Sequence, residues 1–138
     1  MSYDPDNIFA KILGGEIPCH KVYEDDDTLV FMDIMPRIDG HVLVIPKTPC
    51  RNMLDASADQ LAAVMATVQK VSQAMMAAYG ADGITLQQFN EPAGGQEVYH
   101  LHFHILPRRE GDKIRPPGQM ADHADLAAEA DKIRAALA

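Results

Sequence analysis

The chain has 138 residues, 47% of them hydrophobic and 23% charged, with a net charge of −8. That length and apolar content suit one compact domain and are short for two. The acidic balance argues against a surface for polymeric nucleic acid, which needs a basic face. The nearest approach to one is Arg108-Arg109 followed by Lys113 and Arg115.

No apolar run approaches the roughly 20 residues of a membrane helix. The opening Met1-Ser2-Tyr3-Asp4-Pro5-Asp6 has neither the basic patch nor the apolar segment of a secretory signal. A cytoplasmic protein that does not engage membranes is therefore expected. Cys19 and Cys50 form no C-x-x-C pair and read as two reduced thiols.

In chain order, residues 6–13 read as a short helix. Asp6 is its candidate cap, Ile8, Phe9, Ile12 and Leu13 share one face, and Gly14-Gly15 stops it. Residues 21–24 and 29–34 flank the acidic turn Asp25-Asp26-Asp27 and read as a hairpin. Residues 41–45 form a short β-branched run. Ser57 with Gln60 is a capping box opening a long helix, whose apolar stripe runs Leu61, Val64, Met65, Val68, Ser72, Met75, Met76, Tyr79. Gly80 ends it. Residues 84–90 and 98–107 read as strands separated by Pro92-Ala93-Gly94-Gly95, and residues 126–137 as a last helix. Strands and helices mix without regular βαβ alternation, so the class is α+β with an antiparallel sheet.

The strongest chemical signal is His100-Leu101-His102-Phe103-His104-Ile105, which holds half of the six histidines. On a strand, residues i, i+2 and i+4 share a face at roughly 7 Å per step. Leu101, Phe103 and Ile105 then face a core while three imidazoles line the opposite face. A solvated stripe would make this clustering a coincidence. A metal site is a second reading, since H-x-H on a strand can share an ion. The third is phosphate chemistry, in which one imidazole attacks and its neighbours donate hydrogen bonds. Gly94-Gly95-Gln96 favours the third, because a glycine-rich turn can aim backbone N–H groups at an anion. Asn90 and Gln96 add neutral donors.

These residues resemble the histidine triad (HIT) family, in its Hint-like branch. His100 through Leu106 matches the H-x-H-x-H motif, and Gly95-Gln96-Glu97-Val98-Tyr99 matches its approach. Ile8-Phe9-Ala10-Lys11-Ile12 with Glu16-Ile17-Pro18, then Phe31-Met32-Asp33-Ile34, then His41-Val42-Leu43-Val44-Ile45-Pro46-Lys47 extend the likeness over about residues 6–118. A C-terminal helical extension over about 122–138 lies outside it, within a single domain spanning 1–138. The resemblance implies a HIT-like fold, an antiparallel sheet with one long and one or two short helices. It also implies a homodimer and a purine nucleotide as ligand.

Residue by residue, the resemblance makes His102 the nucleophile that forms a nucleotidyl-histidine intermediate. His104 and His41 contact the phosphate or orient the site, and His100 supports His102. Asn90 and Gln96 contact phosphate or leaving group, and Asp33 accepts from the ribose hydroxyls. Phe9, Ile12, Phe31 and Ile34 sandwich the base; by pattern alone these four read as plain core. The implied reaction is cleavage of a purine nucleoside phosphoramidate or a related nucleoside 5′-phosphate derivative. The alternatives are a Fhit-like dinucleoside polyphosphate hydrolase, a metallo-hydrolase and a non-catalytic nucleotide-binding module. Neutral imidazole attacks without a separate base, so no cofactor is called for.

Two positions depart from the family pattern. Glu97 stands where a serine or threonine is common, and a carboxylate there can only accept and repels phosphate. Some bacterial relatives bind a structural zinc where this chain has Asn7, Ala10 and Pro49, so no metal is expected.

Overall fold

The computed structural model describes residues 2–138. Its elements are α1 (Ile8–Leu13), β1 (Lys21–Glu24), β2 (Thr28–Met32), β3 (Val42–Pro46), α2 (Ala58–Tyr79), β4 (Gly83–Gln87), β5 (Phe103–Arg108) and α3 (His123–Leu137), with a 3-10 turn at Pro92–Gly94. The strands form one antiparallel sheet in the order β1-β2-β3-β5-β4. This is the α+β architecture the sequence calls for. Among the described residues, no helix is long and apolar enough to cross a membrane.

β2 and β3 are buried on both faces, which explains why they read as unbroken apolar runs. Their alternate residues feed two clusters. Val30, Met32, Val42 and Val44 join Leu101, Phe103 and Ile105 beneath α2 and α3. Leu29, Phe31, Leu43 and Ile45 pack with Phe9 of α1 on the other face. Because side chains alternate along a strand, His104 between Phe103 and Ile105 must point to that second face. It is paired there with Leu43.

α2 carries the capping box at Ser57 and Gln60 and ends on Gly80 in the left-handed region. Its buried line is Val64, Thr67, Val68, Val71, Ala74 and Met75, whereas Met65 and Met76 are exposed. The expected stripe was thus rotated, and of its three methionines only Met75 reaches the core. α3 is part of the main core through Leu126, Ala130 and Ile133. α1 begins at Ile8, with its cap one residue later than the expected Asp6. Asn7 caps it by accepting from the Ala10 N–H, while the Asp6 N–H is bound by Asp4.

The strand expected over 98–107 pairs only from Phe103 onward. Before it, the histidine side chains bond backbone carbonyls: His100 that of Pro46 and His102 that of His100. Side-chain bonds to nearby backbone compete with a ladder, and here they replace it. The strand expected over 84–90 likewise ends at Gln87.

Candidate active site

The triad does not form one cleft-lining stripe. His100 is fully buried, His102 is 8% exposed, and His104 keeps 18% of its side chain open. His102 and His104 meet edge to face at 5.0 Å between ring centroids, and Phe9 and His102 do so at 4.9 Å. Phe31 stands behind Phe9 at 5.4 Å. The site therefore opens on the α1 face of the sheet.

Hydrogen-bond partners assign the proton on each ring. A carbonyl can only accept, so the His102 Nδ1 contact to the His100 carbonyl at 2.7 Å places the proton on Nδ1. The Nε2 of His102 is left with a free lone pair. A backbone N–H can only donate, so the Arg37 N–H at 3.0 Å makes His41 Nδ1 an acceptor and puts its proton on Nε2. That proton is given to His104 Nδ1 at 2.9 Å, which leaves His104 with an Nε2–H. Two neighbouring imidazoles thus hold opposite forms: His102 keeps a bare Nε2 lone pair and His104 carries an Nε2–H.

Asp33 follows β2, and its N–H donates to the His41 carbonyl. Its Oδ1 accepts from the Met35 N–H, and its Oδ2 lies 3.4 Å from His41 Nε2 and 4.0 Å from His104 Nδ1. These three side chains are close enough to surround a metal ion. The donor set does not suit one. A metal needs the Nε2 lone pair of His41, and the Arg37 N–H holds the proton there.

Burial pushes the histidines below the ordinary value of 6.5. His104 falls to about 3, with burial joined by the neighbouring His102, His41 and Arg37, and His41 to about 4, with burial joined by Arg37. His100 and His102 are also lowered, mainly by burial. All four are neutral at pH 7. Burial also raises the Asp33 carboxyl. Below pH 6.5 the unfolded chain binds protons that the folded protein withholds, so stability falls as pH drops from 6.5 toward 4. His104→Asn is expected to flatten the fall by up to about 1.4 kcal/mol per pH unit. Melting curves recorded from pH 7 to 4 check this. Parallel curves for variant and wild type would contradict a neutral, buried His104.

Gln96 is not placed as expected. Its amide donates to the carbonyls of Arg51 and Val98 and accepts from Asn52 Nδ2 and the Glu91 N–H, so no donor remains for a phosphate. The N–H groups of Gly94, Gly95 and Gln96 are also turned inward, onto Glu91 and Pro92 carbonyls. A 3-10 turn needs those donors itself. Asn90 accepts from the Met53 N–H and exchanges amide bonds with Gln88, which commits one of its two amide hydrogens. Glu97 is exposed. Ile12 packs with the Phe9 and Phe31 cluster, but Ile34 packs against the main core on the other face. The expected four-residue sandwich is therefore split across the sheet.

Several contributors escaped sequence reasoning. Arg51 forks onto Glu91 at 2.6 and 3.0 Å, and Asn52 joins the same carboxylate. Glu91 holds this loop with φ 65°, costly for a residue with a side chain. Phe89 meets His104 edge to face at 5.8 Å between ring centroids. The Arg37 contribution is a backbone N–H, invisible to any residue pattern. A cavity of about 640 Å³ between the end of α2 and α3 is lined by Tyr79, Arg109 and Glu129 but by none of these histidines.

The site thus centres on a neutral imidazole with a free Nε2 lone pair beside a neutral imidazole carrying an Nε2–H, both at the edge of an antiparallel sheet's apolar face. The chain belongs to the HIT-domain family, whose profile matches residues 14–111. A HIT-like protein from Bartonella henselae, described as involved in cell-cycle regulation, is 53% identical, with a TM-score of 0.95 and 99% of each chain covered. A hypothetical histidine triad nucleotide-binding protein from Sulfolobus tokodaii is 34% identical, with a TM-score of 0.87 over 94% of this chain and 90% of that one. Adenylylsulfatase HINT3 of Arabidopsis thaliana is 40% identical over 119 residues, and the match spans 86% of this chain and 60% of that protein.

Proposed function

We propose that this protein is a nucleotide hydrolase or transferase that cleaves a purine nucleoside phosphoramidate, or a related nucleoside 5′-phosphate derivative, through a nucleotidyl-histidine intermediate. The observation that carries the reading is the opposed protonation of His102 and His104. His102 Nε2 attacks the α-phosphorus and a new P–N bond forms; the bond to the leaving group breaks, its electron pair departing with the leaving group, which takes up a proton from solvent. The ring becomes cationic as the new bond forms. Its Nδ1–H bond to the His100 carbonyl, 2.7 Å long, strengthens with that charge and so favours the transition state over the ground state. His104 Nε2–H donates to the oxygens on which charge gathers. Asn90, with one amide hydrogen not taken by Gln88, is the second donor in this reading, and Gln96 braces the loop. Water then hydrolyses the P–N bond.

Asp33 is the ribose acceptor in this reading, with Phe9, Phe31 and Ile12 supplying the apolar side of the nucleoside pocket. A carboxylate has two oxygens for two vicinal hydroxyls. Asp33→Ala is expected to weaken ribonucleoside monophosphates by about 10-fold or more while changing 2′,3′-dideoxy analogues little, measured by calorimetry. Equal losses for both would make Asp33 structural. The protein is read as a cytoplasmic homodimer, whose edge strands β1 and β4 offer unpaired backbone for association.

The leaving group is tested with a panel: adenosine and guanosine phosphoramidates, dinucleoside polyphosphates, and adenylyl sulfate, the last because of the HINT3 relative. Fastest turnover of the phosphoramidates supports the proposal. Preference for dinucleoside polyphosphates would move it to the Fhit-like reading. Tight monophosphate binding without turnover of any member would make it a binding module.

A further inference from the structure

The N-terminal segment reaches the catalytic histidines from far along the chain. Tyr3 and His100 are separated by 97 residues, yet the Tyr3 hydroxyl lies 2.7 Å from His100 Nδ1. The two rings meet edge to face at 5.6 Å. The segment is tied down on both sides of Tyr3. The Ser2 carbonyl accepts from Arg51 Nη1, and the Asp4 carbonyl accepts from Asn7 Nδ2 at 2.7 Å. Arg51 is itself held by Glu91 and lies 4.3 Å above the Tyr99 ring.

His100 is fully buried and has a partner on each ring nitrogen. Nε2 lies 2.8 Å from the Pro46 carbonyl, which can only accept, so Nε2 carries the proton. Nδ1 is then an acceptor, and the Tyr3 hydroxyl is its donor. The His100 backbone carbonyl, in turn, takes the Nδ1–H of His102. A continuous line therefore runs from the Tyr3 hydroxyl, through the His100 ring and backbone, to the imidazole read above as the nucleophile.

We propose that Tyr3 is a positioning residue: its hydroxyl fixes the ring orientation and tautomer of His100, and the His100 carbonyl then holds His102 with Nε2 free to attack. This rests on the assignment of His102 as nucleophile. Without the hydroxyl, Nδ1 of a buried ring has no donor, and the ring can turn or exchange tautomer. The carbonyl that orients His102 then loses its fixed direction. Burial of Tyr3 raises its hydroxyl pKa, consistent with a group that stays protonated and donates.

The test is Tyr3→Phe, which removes one oxygen and keeps the ring. Expected is a fall in kcat of about 10-fold, the rate equivalent of one hydrogen bond, with KM changed less than about 2-fold. In a His100→Asn background the same change should add no further loss, because the hydroxyl acts only through that ring. Nitrogen-15 NMR of the histidines, recorded without substrate, should move the His100 Nδ1 resonance toward that of a lone pair without a donor. A melting curve for each variant separates this from unfolding. An unchanged kcat, an unchanged His100 resonance, or a full further loss in the double variant would each overturn the proposal. A wild-type protein that turns over no member of the panel would instead sink the hydrolase reading. The NMR arm, which uses no substrate, would then decide by itself whether Tyr3 sets His100.

Discussion

His102→Ala is expected to lower turnover by on the order of 10³-fold or more while nucleoside monophosphate binding persists. The ring contributes a nitrogen with a free lone pair, Nε2, and its other nitrogen is anchored on the His100 carbonyl; alanine removes both. The groups that would hold the nucleotide, Asp33, Phe9 and Phe31, are separate side chains and stay in place. Rapid quenching under non-acidic conditions with a labelled substrate should trap an acid-labile nucleotide on the wild type and none on the variant. EDTA should leave the wild-type rate unchanged, since the His41 proton already occupies the nitrogen a metal would need. Near wild-type rates for the variant would remove His102 from the nucleophile's role. Loss of activity to chelation alone would turn attention to Asp33, His41 and His104 as ligands.

Gly40→Ala is expected to lower stability by about 3 kcal/mol and the melting temperature by roughly 10 °C. Gly40 has φ +90°, and a Cβ there would lie 2.7 Å from the Tyr79 ring and 2.9 Å from Pro107. The two causes can be separated. Gly118 has φ +86° with nothing within 4 Å of its would-be Cβ, so Gly118→Ala carries backbone strain alone and should cost about 1 kcal/mol. Thermal melts of both variants check the difference. Gly40 also precedes His41, whose N–H bonds the Ile38 carbonyl. The substitution should therefore disturb the His41–His104 contact and reduce activity even below the melting temperature. Equal melting temperatures for the two variants would show that Tyr79 and Pro107 can give way.

Local chemistry made most of the fold legible in the residues. The capping box at Ser57 and Gln60, the Gly80 stop and the acidic turn before β2 act within a few residues, and all lie where the pattern puts them. The alternation of Leu101, Phe103 and Ile105 also assigned their side of the sheet correctly, because side-chain direction on an extended chain has a period of two. Element ends were less legible. The strand 98–107 was shortened because His100 and His102 bond backbone carbonyls that the alternation does not reveal.

By itself, then, the sequence determined the α+β class, the clustering of histidines, and the likeness to the HIT family that residues 14–111 bear out. It left open which imidazole carries which proton. Only the tertiary structure decided that, because the deciding partners are groups that no residue pattern displays: the Arg37 N–H on His41, the Pro46 carbonyl on His100, and the Tyr3 hydroxyl reached across 97 residues. It also decided against Gln96 as a phosphate donor, since an amide with four partners in a closed loop has no hydrogen left to give. An imidazole's chemistry is set by the hydrogen bond on its far nitrogen, and that bond is a property of the folded chain.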